Sequence, residues 1–253
     1  MKQKSPKLGQ IMEINVNSTH LSKVLAGVEV LISDNTKFYI VTPNPELILM
    51  SQTDQSLKKA LNSANFSIPD GVGLKLAERN LKIIKGRKLF VELINLAARK
   101  NWKVFLLGGL GKEAELAAEN LKRANPGLKI QFSKGPRLST NTSPSTNADK
   151  KAEIEAIDKI NTFKPQLLFV AFGNPKQEIW IYRNLSKLKI GGAMAVGGAF
   201  RYVSGMSTLP PGWIEQGGLE WLWRVVKEPW RIKRIFKAVI VFPLKFFFYK
   251  IIH

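Results

Sequence analysis

Gln166–Glu178 reads QLLFVAFGNPKQE and changes character at Gly173. The first part is a short, continuous apolar run of Leu, Phe, Val and Ala, the pattern of a strand buried on both faces. Gly173-Asn174-Pro175 ends it, and a helical pattern over Gln177–Leu188 follows at once. Strand, glycine turn and helix in direct succession form the repeating half of a parallel α/β sheet. Working outward, strands are expected at Ile11–Val16, Phe38–Thr42, Phe66–Ile68, Lys103–Leu107, Lys129–Phe132 and Ala193–Val196. Helical spacing fills the intervals at Leu21–Ile32, Gln55–Ala64, Val72–Arg79, Leu89–Arg99, Lys112–Ala124 and Ala148–Phe163. The alternation predicts an α/β fold with a doubly wound, mostly parallel sheet and right-handed crossovers. Leu138–Ala148 (LSTNTSPSTNA) is polar and low in complexity, and is expected to be a flexible loop.

The 253 residues carry 39 Lys+Arg against 19 Asp+Glu, a formal charge of +20. With 45% apolar residues the chain reads as a folded protein with a sizeable core. Cysteine is absent, which excludes disulfides, thiolate metal sites and cysteine nucleophiles. The two histidines, His20 and His253, stand far apart in sequence, which argues against a histidine metal cluster or a Ser-His-Asp triad. No metal site and no cofactor are expected. The basic Met1–Gln10 is not followed by the apolar core of a signal peptide, and the longest uncharged stretch, Tyr202–Ile214, is broken by Gly205, Pro210, Pro211 and Gly212. An intracellular location is therefore expected.

A basic excess of this size implies a negative partner: nucleic acid, an anionic membrane or a phosphorylated substrate. The cations concentrate at the end of the chain. From Arg224 onward Lys227, Arg231, Lys233, Arg234, Lys237, Lys245 and Lys250 are opposed only by Glu228, and Trp, Phe and Ile are interleaved with them. At about 100° per residue, Arg224, Lys227, Arg231, Arg234 and Lys245 share one sector, with breaks of phase at Pro229 and Pro243. A basic stripe opposite an apolar face suits a membrane interface better than a protein core or RNA. The composition changes near Gly205, which divides the chain into residues 1–204 and a basic, Trp- and Phe-rich tail, 205–253.

In open α/β sheets ligands bind beyond the carboxyl ends of the strands. Those ends carry Thr42-Pro43-Asn44, Pro69-Asp70-Gly71, Gly108-Gly109-Leu110-Gly111, Gly173-Asn174-Pro175-Lys176-Gln177 and Gly197-Gly198. Each alone has an ordinary explanation: Asn44, Asp70 and Asn174 as caps or turn residues, the glycines as tight turns. Together they offer one carboxylate, neutral polar groups and closely approachable backbone, which suits a phosphorylated or sugar ligand. Gly108-Gly109-x-Gly111 by itself would also fit a dinucleotide oxidoreductase, but a G-x-G-x-x-G followed about 20 residues on by a ribose-binding acid is not evident.

Six segments resemble the WecG/TagA/CpsF family of bacterial glycosyltransferases in order and spacing. They are TPNPE (Thr42–Glu46), IPDGVGL (Ile68–Leu74), LLGG (Leu106–Gly109), FVAFGNPKQEIWI (Phe169–Ile181), AVGGAF (Ala195–Phe200) and GLEWLWRVVKEPWRIKR (Gly218–Arg234). The resemblance runs from about Ile14 to Arg234. It implies a Rossmann-like core with a C-terminal helical, membrane-associating appendage. It implies metal-independent, inverting transfer of a sugar, of N-acetylmannosamine or a related type, from a UDP-sugar donor to a polyprenyl-diphosphate-linked sugar acceptor in cell-surface polysaccharide synthesis. It also implies a peripheral location on the inner face of the bacterial membrane.

By the same resemblance Asp70 is the catalytic base, Thr42 and Asn44 line the active site, and Gln177 lies in the GNPKQE block with Gly173 and Asn174. Arg224, Arg231 and Arg234 correspond to appendage arginines that close over the diphosphate, while Gly108 and Gly109 let the backbone approach the nucleotide. Three positions depart from the family pattern. Lys88 replaces an acid after Gly86, Arg201 replaces an Asp after Gly-Gly-Ala-Phe, and Leu209-Pro210-Pro211 stands for Arg-Ala-Pro; these bear on the donor sugar. The competing reading is a basic nucleic-acid-binding module, although no nucleic-acid partner is expected. An exposed apolar patch is compatible with masking in a homo-oligomer.

Overall fold

The computed structural model describes residues 8–212, 214, 220–227 and 232–252. The centre is a six-stranded sheet formed by β3 (Phe38–Val41), β4 (Phe66–Ser67), β5 (Lys103–Gly108), β6 (Lys129–Ser133), β7 (Leu167–Ala171) and β8 (Gly192–Ala195). Their order is β4-β3-β8-β7-β5-β6, and every neighbouring pair is parallel. Parallel neighbours need crossovers, and the helical segments provide them. The Rossmann-like α/β expectation is therefore met.

Side chains alternate between two cores, as the period of two requires. Tyr39, Val41, Phe105, Leu107, Leu168, Val170, Ala193 and Ala195 point to one face. That face is covered by α2 (Pro45–Ser51), α3 (Gln55–Asn62), α6 (Asn147–Phe163) and α7 (Lys176–Asn184). Phe38, Ile40, Val104, Leu106, Leu167, Phe169 and Met194 point to the other. There α1 (Leu21–Ser33), α4 (Gly86–Arg99), α5 (Glu113–Ala124) and α8 (Ala199–Val203) close the layer. Burial on both faces is why these strands read as unbroken apolar runs instead of alternating ones.

Several local expectations are revised. Ile11–Val16 is not one strand of the main sheet. β1 (Leu8–Ile11) and β2 (Ile14–Asn17) form a separate antiparallel hairpin, reversing at Met12 and Glu13, both with positive φ (47° and 62°). Asn17 accepts a hydrogen bond from Ser67 N–H (2.6 Å), so the hairpin supports the edge strand β4. Val72–Arg79 is not a full helix; a 3-10 turn covers Val72–Leu76. α4 begins at Gly86, ahead of the expected Leu89. The polar stretch at Leu138–Ala148 folds into a compact turn in which Ser139 N–H donates to Ser143 O (2.8 Å), Leu138 is buried, and Lys176 Nζ donates to Leu138 O (2.5 Å).

The tail contains α9 (Glu220–Lys227), α10 (Ile232–Phe236), a π-helical turn (Lys237–Val241) and α11 (Phe242–Ile252). Its apolar side chains divide between two environments. Phe242 is fully buried in the core, with Val241, Phe246 and Tyr249 packed against that core. Leu244, Phe247, Phe248, Ile251 and Ile252 are exposed. Among the described residues, no helix is long and apolar enough to cross a membrane.

Candidate active site

The carboxyl ends of β4, β3, β8, β7 and β5 open into one cleft of about 310 Å³. Thr42, Asn44, Asp70, Gly109, Gly173, Asn174, Gln177 and Arg234 line it, so most of the residues singled out from the sequence converge. Gly108 is the last residue of β5, below the rim; a Cβ there would lie 2.8 Å from Ala171 O, so only glycine lets β5 and β7 end this close together. Arg231 and the side chain of Arg224 lie outside the described residues.

Asp70 follows β4, and its backbone N–H donates to Pro43 O (2.9 Å), which fixes it to the loop after β3. Its Oδ2 accepts the N–H of Gly86 (3.1 Å), the first residue of α4. This places a half-buried carboxylate at a helix N-terminus, where the backbone dipoles favour negative charge. Gly86 keeps that approach open, because a Cβ would sit 3.1 Å from Thr42 Oγ1 and 3.2 Å from Asp70 Oδ2 and push these side chains back. Asn44 caps α2, its Oδ1 accepting from Leu47 N–H (2.8 Å), while its side chain still borders the cleft. The capping reading and the site reading therefore hold together for this residue.

Gln177 has a different position from that of a simple ligand contact. It is 2% exposed, and its Oε1 accepts both Gly173 N–H (3.2 Å) and Gly197 N–H (3.0 Å). Its Nε2 donates to Asn174 Oδ1 (2.9 Å) and to Glu178 Oε1 (2.9 Å). The amide thus clasps the loops after β7 and β8 into one wall. In the turn after β5, Gly109 N–H donates to Ala171 O (2.9 Å) and Leu110 N–H to Glu113 Oε2 (3.0 Å). What this turn offers a ligand is close backbone approach, with those two donors already engaged.

Sequence reasoning did not single out Lys85, Arg87 and Glu113 as site residues, and read Arg201 only as a departure. Lys85 and Arg87 flank Gly86 at the start of α4, and Arg201 lies within α8, its Nε 3.6 Å from Glu113 Oε1. Among the described residues the cleft therefore holds four cations, Lys85, Arg87, Arg201 and Arg234, against the carboxylates Asp70 and Glu113. Such a balance favours an anionic ligand. Lys88, the other basic departure, faces a neighbouring groove instead. Among the described residues, no three acidic or histidine side chains gather as a metal site would require.

Arg234 reaches the cleft from the tail. Its Nε and one terminal nitrogen form a fork on Glu46, at 2.7 and 2.9 Å. Because the pair is half-exposed, its net contribution to stability is about 1 kcal/mol or less. Nearby Glu178 is 1% exposed, and its Oε2 has no hydrogen-bond partner. Burial pushes its carboxyl up from 4.5 to about 7, offset in part by the bond from Gln177 and by the Arg234 guanidinium. The folded chain then keeps a proton that the unfolded chain releases above 4.5, so folding weakens as pH rises from about 4.5 to 7. Glu178→Gln removes this ionisation. Thermal melts across that window should show the wild type losing stability relative to the variant; parallel curves would mean that Glu178 ionises as an ordinary carboxylate.

Comparison with known proteins accords with this geometry. The model of the Glycosyl transferase WecG/TagA/CpsF family matches residues 9–253. An N-acetylglucosaminyldiphosphoundecaprenol N-acetyl-beta-D-mannosaminyltransferase of Staphylococcus aureus (strain MW2) is 26% identical over 242 residues, covering 93% of this chain and 90% of the relative. Its counterpart in strain NCTC 8325 matches with the same identity and coverage. With a family match over nearly the whole chain, and the polar strand ends gathered in one cleft, this chain belongs to the WecG/TagA/CpsF family and is a glycosyltransferase.

Proposed function

We propose that the protein transfers a sugar of the N-acetylmannosamine type from a UDP-sugar to a polyprenyl-diphosphate-linked sugar, with inversion, at the cytoplasmic face of the bacterial membrane. The observation that carries this reading is a single aspartate, Asp70, anchored at one end of a cleft otherwise dominated by cations. The names of the Staphylococcus aureus relatives supply the acceptor and sugar class.

Inverting transfer requires a base on the acceptor side and charge compensation on the leaving side. Asp70 takes the proton of the attacking acceptor hydroxyl, an effect worth about 10²–10⁴-fold in rate. The Gly86 N–H holds the carboxylate in place without consuming a proton. Thr42 and the Asn44 amide orient sugar hydroxyls as the transition state takes on oxocarbenium character. As the bond to UDP breaks, negative charge gathers on the diphosphate. Arg234, joined by Arg224 and Arg231 of the tail, supplies guanidinium groups to meet it. Glu46 holds Arg234 until a diphosphate competes for it. The tail, 205–253, works as an appendage to the catalytic unit 1–204, and its exposed Phe247, Phe248, Ile251 and Ile252 enter the leaflet that carries the acceptor.

The test is a panel of UDP-sugars offered with a short-chain prenyl-diphosphate N-acetylglucosamine, with products read by mass spectrometry and anomeric configuration by NMR. UDP-N-acetylmannosamine is expected to give the fastest transfer, with an inverted linkage. Transfer from no UDP-sugar, or with retention, would sink the reading.

A further inference from the structure

A second hollow, about 750 Å³, opens beside the catalytic cleft and shares Lys85 with it. Four exposed cations, Lys75, Arg79, Lys82 and Lys88, stand around it, over a floor that includes the buried Leu81 and Ile84. Residues 75–88 contain six cations and one acid, Glu78, whose Oε1 is engaged by Asn80 N–H (3.2 Å). A merely solvated surface mixes the two signs evenly, and this one carries six cations to one acid.

The same segment begins with a 3-10 turn that exposes Val72 (50%) and Leu76 (62%). That turn borders the tail: a Cβ built on Gly73 would come within 4.0 Å of Ala238 O. Next to Ala238 stand Val239 and Ile240, exposed at 37% and 44%. Apolar side chains of the core and of the tail thus adjoin, with the basic groove behind them and the cleft mouth alongside.

We propose that residues 72–88 are a membrane-docking surface of the core itself, whose groove receives the phosphate of an anionic phospholipid headgroup while Val72 and Leu76 enter the interface. The inference rests on the membrane-bound reading above and extends it from the tail to the catalytic unit. Charge complementarity decides the occupant: each cation near an anionic leaflet strengthens binding about fivefold. RNA would meet the same cations, but residues 72–88 contain no aromatic side chain on which bases could stack, while they do expose aliphatic ones. Docking through this groove faces the Lys85 side of the cleft towards the leaflet, so that a lipid-linked diphosphate sugar reaches Asp70 without leaving the interface.

The experiment uses the full chain and vesicles of phosphatidylcholine, with and without phosphatidylglycerol. The combined Lys75→Gln, Arg79→Gln and Lys82→Gln variant should bind phosphatidylglycerol vesicles at least tenfold more weakly. Its transfer rate to a short-chain soluble acceptor without vesicles should stay within about twofold of wild type. Val72→Ser with Leu76→Ser, a second and independent variant, should weaken vesicle binding severalfold and leave its salt dependence unchanged. Equal vesicle binding by wild type and both variants overturns this inference alone. A matching rise in KM for the soluble acceptor assigns the groove to the acceptor's own diphosphate and also overturns it. Tight RNA binding that the basic variant loses, without comparable vesicle binding by wild type, does the same. Wild type that ignores phosphatidylglycerol vesicles overturns the membrane reading and this inference together.

Discussion

Asp70→Asn is expected to lower the rate of sugar transfer by about 10²–10⁴-fold and to leave the fold intact. The amide oxygen of asparagine can still accept the Gly86 N–H, so the contact that positions residue 70 survives. The surrounding backbone bonds, Asp70 N–H to Pro43 O and Ile84 N–H to Pro69 O, do not involve the side chain at all. What disappears is the basicity needed to take a proton. The effect should therefore fall on kcat, with KM for the sugar donor nearly unchanged. Melting temperature and circular dichroism should match wild type. A variant that retains most of its turnover would remove Asp70 from the base role and return attention to Glu113, the other carboxylate in the cleft.

Gln177→Leu should be the most disruptive single change among the cleft residues. Leucine nearly conserves volume but offers neither an acceptor nor a donor. The Gly173 and Gly197 N–H groups and Asn174 Oδ1, which border the cleft, and the buried Glu178 Oε1 all lose a partner. A stranded buried group costs about 1–3 kcal/mol, and the three groups at the cleft can turn partly to water, so the sum should be roughly 2–4 kcal/mol. For a chain of this size that corresponds to a melting temperature lowered by roughly 10 °C. Activity should fall even at temperatures where the variant stays folded, because the loops after β7 and β8 are no longer fastened to each other. Gln177→Glu tests the donor half of the clasp: it keeps an acceptor for both glycine N–H groups but sets an oxygen against Asn174 Oδ1 and Glu178 Oε1, and should lose more stability as pH rises and Glu178 ionises. A Gln177→Glu loss that does not change with pH would show that the two carboxyl groups do not meet.

The parallel sheet was legible because its strands are apolar on both faces and end in glycine, proline or asparagine. Gln166–Phe172 and Phe38–Thr42 correspond to β7 and β3 within a residue or so at each end. The N-terminal hairpin was hidden, since Met12-Glu13 lacks the Asn-Gly or Asp-Gly signature of a tight reversal. The early start of α4 was hidden for another reason: Gly86-Arg87-Lys88 contributes nothing to an apolar stripe, and its first N–H is satisfied by an aspartate 16 residues earlier in the chain. The strand-end rule brought Thr42, Asn44, Asp70, Gly109, Gly173 and Gln177 to one cleft. It could not find Lys85, Arg87 or Arg201, which come from helices and their starts, where a charge has no periodic signature. Nor could it separate a side chain that meets a ligand from one that fastens two loops, as the fully engaged amide of Gln177 shows.

Phe242 has a consequence for how such an enzyme can be shortened. Its ring belongs to the same core as Leu47, Ile48 and Leu49 of α2, the helix whose opening residues are Asn44, Pro45 and Glu46. Clipping the last dozen residues would therefore leave a void in the core against α2 as well as trimming a greasy end. Evolution or engineering that seeks a shorter form has to refill that void first.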